Sequence, residues 1–313
     1  MGLFPKQFEP SLADMPLGPN SNIYFVDPAN GDDDAPGKSR FQPMKTILAA
    51  YNKCVAGQND IVAYIAGTSG ETLSAAFVWS KSYTHLVGLC AQTRVGQRSR
   101  IFQLSTLTGA SPFITVSGSG CIFKNLYVFQ GVDDATSLVN VSVTGGRNYF
   151  ENVHFAGGGH TTQAVNGGGS LKLDGAEENT FKNCTIGVDT IAAATGMMGL
   201  LFDGGAKRNE FNGCRIRMEA GHTAAAFIEV IDVTAITHDN LFDNCILINN
   251  SSTVTMAAAV AVPAVTTGGK LLFKDCMFSG VTKLDANDRD VVYGNMNATT
   301  AADLSGVAVE LVV

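Results

Sequence analysis

Six segments of the chain repeat one order of apolar and polar positions: Cys121-Ile-Phe123-Lys-Asn125, Asn148-Tyr-Phe150-Glu-Asn152, Asn179-Thr-Phe181-Lys-Asn183, Asn209-Glu-Phe211-Asn-Gly213, Asn240-Leu-Phe242-Asp-Asn244 and Leu271-Leu-Phe273-Lys-Asp275. In each, a phenylalanine alternates with polar residues going into a turn. Apolar residues such as Cys184 and Ile186 alternate with polar ones coming out. A period of two marks half-buried strands. The phenylalanines fall at 123, 150, 181, 211, 242 and 273, so the spacings are 27, 31, 30, 31 and 31 residues. No apolar stripe of helical period runs inside the unit. The pattern therefore predicts an all-β chain, a single-stranded right-handed parallel β-helix in which each repeat is one three-faced coil.

Stacking follows from the period. Phe123, Phe150, Phe181, Phe211, Phe242 and Phe273 should form one internal column, and Cys184, Cys214, Cys245 and Cys276 another. Asn125, Asn152, Asn183 and Asn244 occupy the turn, with Gly213 and Asp275 as substitutes. Asparagine tolerates the left-handed conformation better than most residues. Stacked asparagines can also hydrogen-bond to the next coil, about 4.8 Å away. Gly-rich runs such as 157–159 and 167–169 read as turns between faces.

The ends of a solenoid expose unpaired strand edges and need covering. Residues 43–57 carry apolar positions at helical spacing, opened by Pro43 and closed by Gly57, which predicts a short N-terminal capping helix. The resulting division is an extended arm (1–21), a lead-in strand with the capping helix (22–60), coils (61–280) and a C-terminal cap or strand segment (281–313). The arm holds prolines at 5, 10, 16 and 19, and it either hangs free or grips another subunit. Val307 to Val313 alternates apolar residues and reads as a strand that closes the last coil or pairs with a neighbouring chain.

Composition narrows the function. A net charge of −7 argues against a nucleic-acid partner, because phosphate binding needs a basic face. The most apolar run, Met256 to Val265, is far too short for a membrane helix. The start lacks a secretory layout, and Lys6 stands where a myristoylation motif needs Ser or Thr. Seven cysteines with no CxxC pair read as reduced and buried, not as zinc ligands, which implies a reducing compartment.

Candidate chemistry is sparse. Asp32, Asp33 and Asp34 could offer oxygens to Ca²⁺, or form a solvated loop. Asp174, Glu177 and Glu178 share one inter-strand loop, and Asp203 takes a similar place in the next coil, with Thr144 and Thr234 at the matching positions elsewhere. Carboxylates one coil apart would suit a retaining glycosidase pair, about 5 Å, although chance placement in turns gives the same spacing. His154 follows Val153 of the motif and should face solvent. No nucleotide-binding signature or bound cofactor is expected, and Trp79 is the single tryptophan.

Tyr24-Phe25-Val26-Asp27-Pro28-Ala29-Asn30-Gly31-Asp32, then Pro43-Met-Lys-Thr-Ile47, then Gly57-Gln-Asn-Asp60-Ile61-Val62 together resemble the lead-in of pectin-lyase-like β-helix proteins. The likeness covers roughly residues 22–280. Similar lead-ins occur in virion proteins of tailed phages, including tailspikes and head or tail accessory proteins. The resemblance implies association as trimers and a place in the virion, assembled in the host cytoplasm. The leading expectation is a non-enzymatic structural protein of a phage particle (capsid decoration, head fibre or tail accessory) that docks other virion proteins through its N-terminal arm or C-terminal strand. The alternative is a carbohydrate-active β-helix, a tailspike-like depolymerase or polysaccharide lyase, with a glycan as partner.

Overall fold

The computed structural model describes residues 12, 14–194, 196–263, 268–285 and, as backbone, 292–299. The chain is an all-β parallel solenoid of about seven turns. A typical coil runs through strands Thr180–Lys182, Thr185–Ile186 and Met198–Asp203, one on each face. The first two faces form one 18-stranded sheet folded at the repeated corner, and the third is a separate 7-stranded sheet.

The repeat sets the register. Phe150 pairs with Phe123 and Phe181, Phe211 with Phe181 and Phe242, and Phe242 with Phe273. Successive rings lie 4.9, 4.7, 4.6, 4.5 and 4.7 Å apart and nearly parallel, the spacing of hydrogen-bonded strands. Beside them Cys184, Cys214, Cys245 and Cys276 are buried, each thiol donating to a phenylalanine carbonyl of the previous coil. The corner residues Asn125, Asn152, Asn183, Gly213, Asn244 and Asp275 all have φ between 52° and 63°. That left-handed step turns the chain from the first face to the second.

A second ladder, not singled out from the sequence, lies at the opposite end of the first face. Asn148, Asn179, Asn209 and Asn240 are fully buried. The Oδ1 of each accepts a backbone N–H from the coil before, at 2.8 to 3.1 Å. Each Nδ2 donates to a backbone carbonyl of that coil. Buried turns thereby lose none of their polar partners.

The capping helix is shorter than predicted. It spans Ile47–Lys53, and Thr46, not Pro43, is the N-cap, its side chain accepting from the Ala49 N–H at 3.1 Å. Residues 43–46 are extended because Met44 bridges to Val26 in parallel, so tertiary pairing overrides the helical spacing there. Leu12 and Met15 of the arm are buried on the outer side of the first face, against Ile23, Phe25, Ile61, Ala63 and Val87. Strand Val292–Thr299 pairs in parallel with Lys270–Ser279, adding a rung within the segment expected to end the solenoid. Residues 1–11 and the strand expected over 307–313 lie outside the described residues. Among the described residues no helix is long and apolar enough to cross a membrane.

Candidate functional site

Strand Gly169–Asp174 alternates on the third face, with Leu171 and Leu173 buried and Lys172 and Asp174 half-exposed. Its parallel register with Met198–Asp203 puts Asp174 beside Asp203, the one-coil spacing the sequence predicts. The Lys172 ammonium bridges them, 3.1 Å from Asp174 and 2.7 Å from Asp203. Burial alone would lower the Lys172 pKa, but its hydrogen bonds to Asp203 and Asp174 outweigh it and raise the value. Thr144 follows Val143, the partner of Leu173, and so sits beside Asp174 as predicted. Thr234 does not continue the row. Phe202 pairs with Val230, which places Ile231 beside Asp203, because this strand ends at Val230 and the coil's turn starts earlier than the repeat implies.

Glu177 and Glu178 stand at the corner between the third and first faces, apart from Asp174 and Asp203. Glu178 joins Arg147 at 2.7 Å and Arg208 at 3.0 Å, while Glu177 joins Lys207 at 3.2 Å. Arg147, Glu178 and Arg208 occupy successive coils with φ of 57°, 57° and 53°, an Arg–Glu–Arg ladder on a strained corner. The hydrogen bond and charge of Lys207 hold the Glu177 carboxyl below its ordinary range. General acid catalysis needs the reverse, a carboxyl kept protonated.

The acidic run near the N-terminus serves the helix. Asp33 accepts from the N–H groups of Lys45 and Thr46 at 2.9 and 2.8 Å and from the Thr46 hydroxyl at 2.9 Å. Asp32 accepts from the Asp34 N–H at 3.1 Å. Among the described residues, no three His, Cys, Asp or Glu side chains converge as a metal site. Two of the buried thiols are poor nucleophiles: burial pushes Cys54 up to about 12 and Cys214 well above its ordinary value. The lumen holds an apolar cavity of about 30 Å³ lined by Val128, Val153 and Phe155 among others, without a polar group to orient a ligand.

His154 departs from expectation. It points to the outside of the second face yet is only 5% exposed, because a loop from an earlier coil covers it. Most coils pass this corner in two residues, such as Asn125–Leu126 or Asn183–Cys184, whereas residues 90–99 intervene between Thr84–Leu89 and Arg100–Gln103. That surplus length is the signal in the sequence that marks the loop. The loop runs along the corner column. Cys90 donates to the Asn125 carbonyl, and Gln97 donates to the Asn152 carbonyl at 2.7 Å. Arg94 donates to Asn183 Oδ1 and, at 3.0 Å, to the Gly213 carbonyl. The asparagine contact expected between coils is made by Asn152 to Asn125 at 3.0 Å, while Asn183 turns to Arg94 instead. A Cβ at Gly213 would lie 2.9 Å from Asn183 Oδ1, the atom that Arg94 holds.

Solved structures with the same course of chain include a pectin methylesterase, a rhamnogalacturonan lyase and a pectate lyase. A pectin methylesterase from Erwinia chrysanthemi matches with a TM-score of 0.57 over 90% of each chain at 16% identity. The fold is that of the pectin-lyase-like parallel β-helices. A rhamnogalacturonan lyase (TM-score 0.56, 15% identity, 82% of this chain and 68% of that one) and the pectate lyase Pel9A (TM-score 0.52, 15% identity, 90% and 80%) share it. Identities this low carry the β-helix fold and not the chemistry. No protein-family model matches the sequence, and no curated protein is similar to it.

Proposed function

We propose that this β-helix is a non-enzymatic structural subunit of a bacteriophage virion, a capsid decoration, head-fibre or tail accessory protein. The observation that carries the structural half is the use of its carboxylates. Asp174, Asp203, Glu177 and Glu178 are each tied to Lys or Arg of their own or a neighbouring coil, so they stitch the stack together. The virion half rests on the likeness of residues 22–62 to phage lead-ins. Trimeric association and docking through the terminal segments belong to the same proposal.

The second reading is a carbohydrate-active β-helix that draws on Asp174, Glu177, Glu178 and Asp203, of which the register brings Asp174 and Asp203 side by side. Mass spectrometry of purified particles, paired with size-resolved chromatography and a polysaccharide panel, separates the two. Stoichiometric copies in particles and no shortening of any polysaccharide support the structural subunit. A chain absent from particles sinks it. Cleavage that is lost in Asp174→Asn and Asp203→Asn establishes the enzyme.

A further inference from the structure

The loop 90–99 and the histidine beneath it do more than fill a corner. His154 Nδ1 accepts the Gly96 N–H at 3.2 Å, and its Nε2 lies 2.9 Å from the Gly187 carbonyl. That pair of partners fixes the neutral tautomer with the proton on Nε2. The Thr185 hydroxyl, one coil on in the same column, donates to the Arg94 carbonyl at 2.7 Å. We propose that residues 90–99 form an acid-releasable latch over the corner between the first and second faces, with His154 as its catch.

A protonated imidazole carries hydrogens on both nitrogens. Its Nδ1–H would then meet the Gly96 N–H, two donors face to face, in a site closed to water. The groups around it add little relief. Tyr127 packs its ring 4.9 Å away, Arg94 comes from the loop, and the Asp189–Arg217 ion pair sits on the coils beyond. Burial lowers the His154 pKa from 6.5 to about 4, and Arg217 works in the same direction, while the Gly187 bond and Asp189 oppose it. The lowered value means the closed form excludes the proton that the open form takes up. Closure is thus fully favoured above pH 6.5 and weakens as pH falls toward 4.

The latch is also held imperfectly. Gln97 Oε1, in the loop, and Arg100 Nε, where the next strand begins, are buried without a hydrogen-bond partner. Release bares the Asn152 and Gly213 carbonyls and the Thr185 hydroxyl, a row of unpaired polar groups along the corner. The latch is independent of whether the chain is a virion subunit or an enzyme.

Amide hydrogen exchange of the full chain, followed from pH 7.5 to 4.5 and divided by intrinsic exchange rates, tests this. Protection of residues 91–99 should fall about 40-fold between pH 6.5 and 4.5, as one proton bound at 6.5 in the open form and about 4 in the closed form requires. Peptides 148–156 and 180–186 should stay protected, and His154→Gln, which keeps an acceptor toward Gly96 but does not titrate, should flatten the profile. A flat wild-type profile overturns the latch, and so does exchange of the solenoid wall in step with the loop. If His154→Gln fails to fold, Thr185→Val serves. It should lower loop protection at every pH while keeping the pH slope, and unchanged protection would also overturn the proposal.

Discussion

Asn209 occupies a point where three coils meet: its Oδ1 accepts from the Asn179 N–H at 3.1 Å, and its Nδ2 donates to the Ala176 carbonyl at 3.0 Å. Replacing it with Ala leaves the Asn179 N–H buried and unpaired, at about 1–3 kcal/mol, while the Ala176 carbonyl keeps the Lys207 N–H at 3.1 Å. Asn209→Ala should therefore lose about 1–3 kcal/mol of unfolding free energy in a urea titration. Phe211, two residues on, is fully buried between Phe181 and Phe242. Phe211→Ala should cost about 3–5 kcal/mol in the same measurement. A loss under about 1 kcal/mol would contradict the stacked register.

At the scale of elements, the capping helix hangs on one buried carboxylate. Both oxygens of Glu71 accept the Ile47 N–H, at 3.0 and 2.8 Å, and no cation neutralises them among the described contacts. Burial raises the Glu71 pKa from 4.5 to about 7, against the lowering effect of the Ile47 bond. A raised carboxyl contributes stability that is full below pH 4.5 and is lost as pH rises through 7. Glu71→Gln keeps an acceptor for Ile47 without the charge. It should stabilise the protein at pH 8 by about 1–3 kcal/mol and change little at pH 5, compared by thermal melts at both values. An equal effect at both pH values would remove the buried charge from the explanation.

Over the whole molecule two histidines oppose that glutamate. His85, like His154, is buried on an outer face, and its Nδ1 accepts the Ile122 N–H at 3.0 Å. Burial lowers its pKa from 6.5 to about 4, with Asp60 acting weakly the other way. Lowered histidines contribute stability above pH 6.5 that drains away as pH falls toward 4. Each proton changes stability by about 1.4 kcal/mol per pH unit, so two histidines against Glu71 leave a net loss of up to that size, lessened by Glu229, whose pKa burial also raises. Unfolding free energy should drop by about 1 kcal/mol from pH 6.5 to 5.0 in urea titrations. A His85→Gln, His154→Gln double variant should instead gain stability over the same interval.

The phenylalanine spacing was enough to specify the solenoid, its register, the phenylalanine and cysteine columns and the left-handed corner. Each coil repeats the same local pattern, so one period of sequence contains the contact it makes with the next. The asparagine ladder of residues 148, 179, 209 and 240 was equally visible in the repeat, but its role depends on backbone partners that no residue pattern names. The loop over His154 is of another kind. Its bonds join residues up to 119 positions apart, and nothing periodic links Arg94 to Gly213. Whether His154 faced water, whether Asp174 and Asp203 were free or tied by Lys172, and where the helix began were all decided by tertiary neighbours. Side-chain alternation tells which face a residue takes, while burial and charge at that face depend on what the rest of the chain lays across it.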